Sequence, residues 1–336
     1  MTTRRQLLAA AAAALPLGLA HGQGARKPWR IGYVGAGLPP PITPERLKSS
    51  SSLGGLLAGF RELGLTEGAD FVMEWRFTGS ALYDGIDQLA ADLVRAKVDV
   101  ITVANPNAAR AAQKATRSIP IIFYGGTGDP VAAGFVKSLA RPGGNITGFS
   151  NRSDDILPKQ VDLLRTVVPK LARLAVLVNP VNPVHPGFVE AIRKAARLVN
   201  LTVLPAPVAD SARLESALAE VVKQGAQALL VLGDVTFLLS RRQILALVQR
   251  HRLPAVYINQ EFVRDGGLMQ YGWDALEDAK RVALYVRKIL QEGAKPADLP
   301  VEQSNTVVLV VNRKAAQEIG VTLPQEILLR ANEVIE

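Results

Sequence analysis

From Trp29 onward, short aliphatic runs alternate with segments in which apolar residues recur every three or four positions. Runs of four to seven apolar residues suit strands covered on both faces, and the 3.6-residue repeat suits helices with one face covered. The pattern predicts strands over 30–34, 71–77, 98–103, 119–124 and 145–149. Between them it predicts a helix through Leu53, Leu56, Leu57, Phe60 and Leu63, stopped by Gly64, and helices over 84–96, 106–117 and 130–139. The alternation then restarts with helix 155–168, strand 173–178, helix 186–199, strand 201–206, helix 211–224, strand 227–232, helix 235–251 and strands 254–258 and 267–271. Helix 274–292, strand 306–311 and helix 312–319 close the chain. Strand–helix alternation of this kind builds parallel sheets from βαβ units. The expected fold class is α/β, with two doubly wound parallel-sheet lobes. Residues 98–124 and 226–258 share one order, an apolar strand, a basic-ended helix and an X-Pro-apolar strand, which supports two lobes of one topology.

The first 20 residues fall outside this grammar. Arg4 and Arg5 precede an alanine-rich apolar stretch that ends in small residues. That is the layout of a secretory signal peptide, and it is short of the roughly 20 apolar residues that span a bilayer. Thr3-Arg4-Arg5-Gln6-Leu7 also resembles a twin-arginine signal, so Sec and twin-arginine export both stay open. Cleavage is expected after Ala20, with positions after Gly22 and Gly24 as alternatives and an uncleaved anchor as the competing reading. The expected location is the periplasm.

Composition narrows the chemistry. At 336 residues the chain has room for about two domains. It contains no cysteine and three histidines, His21, His185 and His251. This excludes disulfide frameworks, Cys-ligated metal and thiol catalysis. The formal charge is +9, but Lys and Arg are spread along the chain with no run of five, so no nucleic-acid partner is expected. Walker, H-E-x-x-H, G-x-S-x-G and S-x-x-K motifs are absent. Read as G-x-G-x-x-G from Gly35, the glycine series after the first strand ends on Pro40, which breaks the helix start a dinucleotide needs. No catalytic residue, cofactor or metal is expected, and the protein is not read as an enzyme.

Ligands of open parallel sheets bind beyond the C-terminal strand ends, where helix N-termini present free N–H groups. The candidates there are Gly35, Ala36, Gly37, Asn105, Tyr124, Gly126, Thr127 and Asp129 in the first half. In the second half they are Asn179, Asn182, Asp234, Asn259 and Tyr271. Asp129-Pro130, Asn105-Pro106 and Asn179-Pro180 also read as helix caps or turns. Asp234, directly after an apolar strand, suits a ligand amine or an N-cap. His185 lies in a Pro-rich loop, where surface placement is expected.

The stretches Arg30–Gly35, Gly59–Gly64, Gly128–Val131, Ser138–Gly148, Gly266–Gly272, Ala297–Gln303 and Leu329–Ile335 carry a resemblance over residues 29–336. The chain resembles the bacterial ABC-transporter substrate-binding proteins of the tryptophan-binding-like type, with the periplasmic binding protein type 1 fold. The resemblance implies a three-crossover hinge, with lobe one over 29–149 plus 273–299 and lobe two over 150–272 plus 300–336. It also implies capture of a small ligand, an amino acid or small organic acid, in the cleft and delivery to an ABC permease and its ATPase. A monomer touching the membrane through that permease alone is expected. An exported ligand-binding component of a sensor or other uptake system is the alternative. Relatives carry Gly plus Ser or Thr before the proline after the third strand, where this chain has Ala104-Asn105. The segment 38–52, with three consecutive prolines and four serines, diverges as well.

Overall fold

The computed structural model describes residues 27–37, 41–48, 50–80, 83–126, 128–150, 153–304 and 306–336, with 153–155 described by their backbone alone. The expected signal peptide and Thr127 therefore lie outside the described residues. The elements of the first half are β1 (Trp29–Gly35), α1 (Pro44–Lys48), α2 (Ser51–Glu62), β2 (Phe71–Phe77), α3 (Ile86–Arg95), β3 (Val100–Val103), α4 (Pro106–Ala115), β4 (Ile121–Phe123) and β5 (Ile146–Ser150). The second half holds α5 (Ser153–Val167), β6 (Arg173–Val178), α6 (His185–Arg197), β7 (Thr202–Pro207), α7 (Leu214–Lys223), β8 (Ala228–Val231), α8 (Val235–Leu239), α9 (Arg241–Arg250), β9 (Ala255–Tyr257), α10 (Gln260–Arg264) and β10 (Met269–Trp273). The remainder is α11 (Ala275–Leu290), β11 (Glu302–Gln303), β12 (Val307–Asn312), α12 (Arg313–Ile319), α13 (Gln325–Arg330) and β13 (Glu333–Ile335).

Two sheets result, with strand orders β11-β5-β4-β3-β1-β2 and β13-β12-β10-β9-β8-β6-β7. Every neighbouring pair is parallel except β10–β12. Central strands such as Val100–Val103 and Ala228–Val231 are buried along their whole length, which explains why they read as unbroken apolar runs. Each sheet has apolar clusters on both faces. This is the two-lobed α/β fold that the alternation predicts.

Two expected helices differ. Residues 130–139 form one turn and no helix: Ala133 N–H donates to Asp129 O and Phe135 N–H to Pro130 O, but Gly134 takes φ +70° and ends the turn. The expected helix 235–251 divides at Ser240 into α8 and α9.

The chain crosses between lobes three times, from β5 to α5, from β10 to α11 and from β11 to β12. The third crossing follows Gln303, because β11 still pairs with β5. The crossings run side by side, with Ser304 N–H bonded to Ser150 O at 3.1 Å and Asp274 N–H to Thr306 O at 3.1 Å. Helix α11 leaves lobe two and packs on α2. Its Tyr285 hydroxyl donates to Pro300 O at 2.6 Å and reaches Glu302 Oε1 at 3.0 Å. Arg281 pairs with Glu302 and lies 5.0 Å over the Phe149 ring.

Asp278 of α11 sits beside these crossings at 3% exposure. Ser304 is its polar neighbour from the third crossing, yet neither Asp278 Oδ2 nor Ser304 Oγ completes a hydrogen bond. Burial pushes the carboxyl up to about 6, against the pull of Ser304 and Arg281. A carboxyl raised in the fold stabilises it below the unfolded value near 4 and loses that contribution as pH rises through about 6. Asp278→Asn is therefore expected to raise stability by about 1–3 kcal/mol at pH 7.5 and to leave it unchanged near pH 4. Urea titrations at the two pH values check this, and an equal effect at both would contradict it.

Candidate functional site

The exit loop of β1 meets α8 and the loop after β4 meets the start of α6, where the two lobes touch. Gly37 is buried with φ +88°, its N–H bonded to Ser80 O at 2.6 Å, and a Cβ there would stand 3.2 Å from Leu239 and 3.4 Å from Val235 of lobe two. A Cβ on Gly128 would stand 3.0 Å from Val184. Only a residue tolerant of positive φ and lacking a side chain lets β1's exit loop approach α8 this closely. Gly35 and Ala36 are buried behind it.

Lobe two supplies a buried polar network. Asp234, 7% exposed, caps α8 by accepting from Thr236 N at 2.8 Å. The same Oδ1 accepts from Asn179 Nδ2 at 3.0 Å, and Oδ2 accepts from Asn182 Nδ2 at 2.8 Å. Asn179 Nδ2 also reaches Thr236 Oγ1 at 3.3 Å. The two asparagines shape their own loop, Asn179 Oδ1 accepting from Val181 N and Asn182 Oδ1 from Val184 N. His185 is 1% exposed, against the surface placement expected for it. Its Nδ1 accepts from Asn179 N at 2.8 Å, so the ring proton sits on Nε2, 3.3 Å from Gly233 O. Burial holds its pKa below the ordinary value, while Asp234 and Gly233 O oppose that shift. A neutral histidine thus fixes the loop that carries both asparagines.

Lobe one contributes tyrosines and a helix start. Asn105 Oδ1 caps α4 by accepting from Ala108 N at 2.8 Å. Tyr83 has Asn107 as a polar neighbour and lies near enough to Asp234 of lobe two to feel its charge. Burial and then that charge raise its pKa well above the usual phenol value. Tyr33 is raised likewise by burial, with Tyr124 and Tyr83 adding to the effect, so three tyrosine hydroxyls share this end of the sheet. Tyr124 is buried beside Ser52 of α2, and neither hydroxyl completes a hydrogen bond.

Two of the other expected residues, Asp129 and Tyr271, are engaged in contacts of their own. Asp129 is exposed and accepts from Val131 N at 2.8 Å and Ala132 N at 3.1 Å, as a turn cap. Gly126 is exposed on the same loop. Tyr271 packs on the lobe-two core, and its carbonyl accepts from Gln160 Nε2 at 2.7 Å. Asn259 starts α10 without a side-chain cap bond and stands near Gly233. The strand-end candidates read from the sequence leave out Tyr83 and Thr236. The loop after β2 carries a tyrosine three residues before α3, a signal that inspection of that strand end would have found.

The comparisons agree with this fold. Residues 48–335 match the family described as ABC transporter substrate binding protein. A "Tyrosine-binding protein" of Clostridioides difficile (strain R20291) is 27% identical over 224 residues, 67% of this chain, and the match spans 64% of that relative's length. A solved ABC domain from "Streptococcus pneumonia" in complex with L-Trp is similar at TM-score 0.80 and 25% identity, covering 92% of this chain and 100% of that one. A conserved domain protein from Vibrio cholerae o1 biovar eltor str. n16961 is similar at TM-score 0.81 and 26% identity, with the same coverage.

Proposed function

The chain belongs to the ABC transporter substrate-binding protein family, and from that premise we propose that it captures an amino acid or small organic acid between its lobes, outside the cytoplasmic membrane. It then presents the ligand, as a monomer, to the permease and ATPase of an ABC importer. The family is one of ligand-binding proteins rather than enzymes.

The observation that carries the reading is the buried network of Asp234, Asn179 and Asn182 on lobe two, with Tyr83 of lobe one within reach of the Asp234 charge and Asn107, at the start of α4, beside Tyr83. It combines a buried carboxylate, amides, a phenol and the positive end of a ten-residue helix. A carboxylate attracts an amine, and the partial positive charge at a helix start attracts a carboxylate, so the set matches both ends of an amino acid. Aromatic amino acids come first, because the named relatives include a tyrosine-binding protein and an L-Trp complex.

Binding to the folded state alone stabilises it by about 2.7 kcal/mol when ligand is at 100 times Kd. L-Trp, L-Tyr or L-Phe is expected to raise Tm by several degrees and to titrate as one site by calorimetry. No shift with any amino acid, carboxylate, sugar or nucleoside overturns the proposal.

A further inference from the structure

The serine run that diverges from the family pattern forms part of the lobe interface. Ser50 caps α2, its Oγ accepting from Leu53 N at 3.4 Å. Ser51 faces lobe two: its backbone N–H donates to Glu261 Oε1 at 3.1 Å, and its Oγ accepts from Gln260 Nε2 at 2.7 Å. Ser52 faces inward to Tyr124. Three successive residues therefore cap their own helix, bond the opposite lobe and line the end of β4.

Both halves of the cross-lobe contact are firmly based. α2 is packed along α11, and α10 follows directly on β9 through the site candidate Asn259. Glu261 places its negative charge on the exposed N–H end of a 12-residue helix, the end that favours anions. Moving the lobes apart separates both bonds, because Ser51 and the Gln260–Glu261 pair belong to different sheets.

We infer that Gln260 and Glu261 form a latch on the N-terminus of α2 that holds the lobes together and governs how fast ligand leaves. They are positioning residues and touch no ligand. The ligand arm of the test rests on the capture reading above; the conformational arm does not. Changes within one interface act mostly on dissociation. In a Gln260→Ala/Glu261→Ala variant, the ligand dissociation rate is expected to rise about tenfold, with the association rate within about threefold of the parent. Glu261→Gln, which keeps an acceptor oxygen and loses the charge, is expected to fall between.

The absence of native cysteine allows two introduced ones to be the sole labels. Spin labels on Gln88→Cys of α3 and Lys194→Cys of α6, exposed positions in opposite lobes, report lobe separation without ligand. The latch variants are expected to shift that distance distribution while ligand-free Tm stays within about 2 °C. An unchanged distribution, or an unchanged release rate in a protein that binds ligand, overturns the latch. Should the parent bind no amino acid, the label distances alone still decide it. If the double variant does not fold, Glu261→Gln decides by the same two readouts.

Discussion

Replacing Gly59 with alanine is expected to destabilise the protein by about 2 kcal/mol, although alanine is the better helix former by about 1 kcal/mol. Gly55 and Gly59 lie four residues apart on the face of α2 that meets α11. A Cβ on Gly59 would stand 2.8 Å from Lys280 Cα and closer still to Lys280 O. A Cβ on Gly55 would stand 2.5 Å from Leu276 O and 2.8 Å from Ala279 Cβ. These obstacles are mostly backbone, so no rotamer change relieves them. The helices must part, and Leu56, Phe60, Val282, Ala283 and Val286, all fully buried at that seam, lose contact together. Overpacking of this kind costs about 1–3 kcal/mol before any gain in propensity is counted, and backbone obstacles sit at the top of that range. Urea denaturation measures it, with Tm lower by roughly 3–5 °C. A Gly59→Ala protein as stable as the parent would show that the two helices have room the geometry denies. An exposed glycine offers the control: Gly64→Ala meets no atom within 4 Å, and any cost there reports only its φ of +74°.

The second large effect belongs to Asp234→Asn. Both oxygens of the carboxylate accept bonds, from Asn179 and Thr236 on one side and from Asn182 on the other. An asparagine has one oxygen, so whichever way its amide turns, an NH2 group faces a donor inside a closed network. Each buried donor left without an acceptor costs about 1–3 kcal/mol, and a loss of about 2 kcal/mol in stability is expected. Ligand affinity is expected to fall at least tenfold for an amino acid, and by less for the matching carboxylic acid without its amine. Paired calorimetric titrations of the two ligand types read the difference. Equal losses for both would remove Asp234 from amine recognition and leave it as a structural cap; an unchanged affinity would do so more firmly.

The limits of sequence reading are visible in the same residues. Strands such as Val100–Val103 were legible because burial on both faces leaves a continuous apolar record. Caps were legible because they are local: Asn105 and Asp234 each bond an N–H two or three residues onward. What the chain does not record locally is the second use of a capping side chain. Asp234 meets Asn179 and Asn182 across more than 50 residues, and its charge reaches Tyr83 from the other lobe. His185 was misplaced because Pro-rich flanks describe the backbone of a loop, whereas its burial depends on the Asn179 N–H and Gly233 O that receive it. The expected helix 130–139 had a sound start in Asp129-Pro130. It failed at Gly134, where a positive φ outweighed the pattern of apolar residues beyond it.

The return of α11 and β11 to the first sheet also sets an order of assembly. A ribosome that has finished β5 at Ser150 has made five of the six strands of lobe one, but neither α11 nor β11. The glycine-bearing face of α2 stays uncovered until about 150 further residues are added, roughly 8–30 s at about 5–20 residues per second. During that interval all of α5–α10 emerges, so the lobe that begins first is completed after most of its partner. The nascent chain therefore carries an exposed apolar groove through most of its synthesis, available to chaperones, and passes into the native fold late and as a whole.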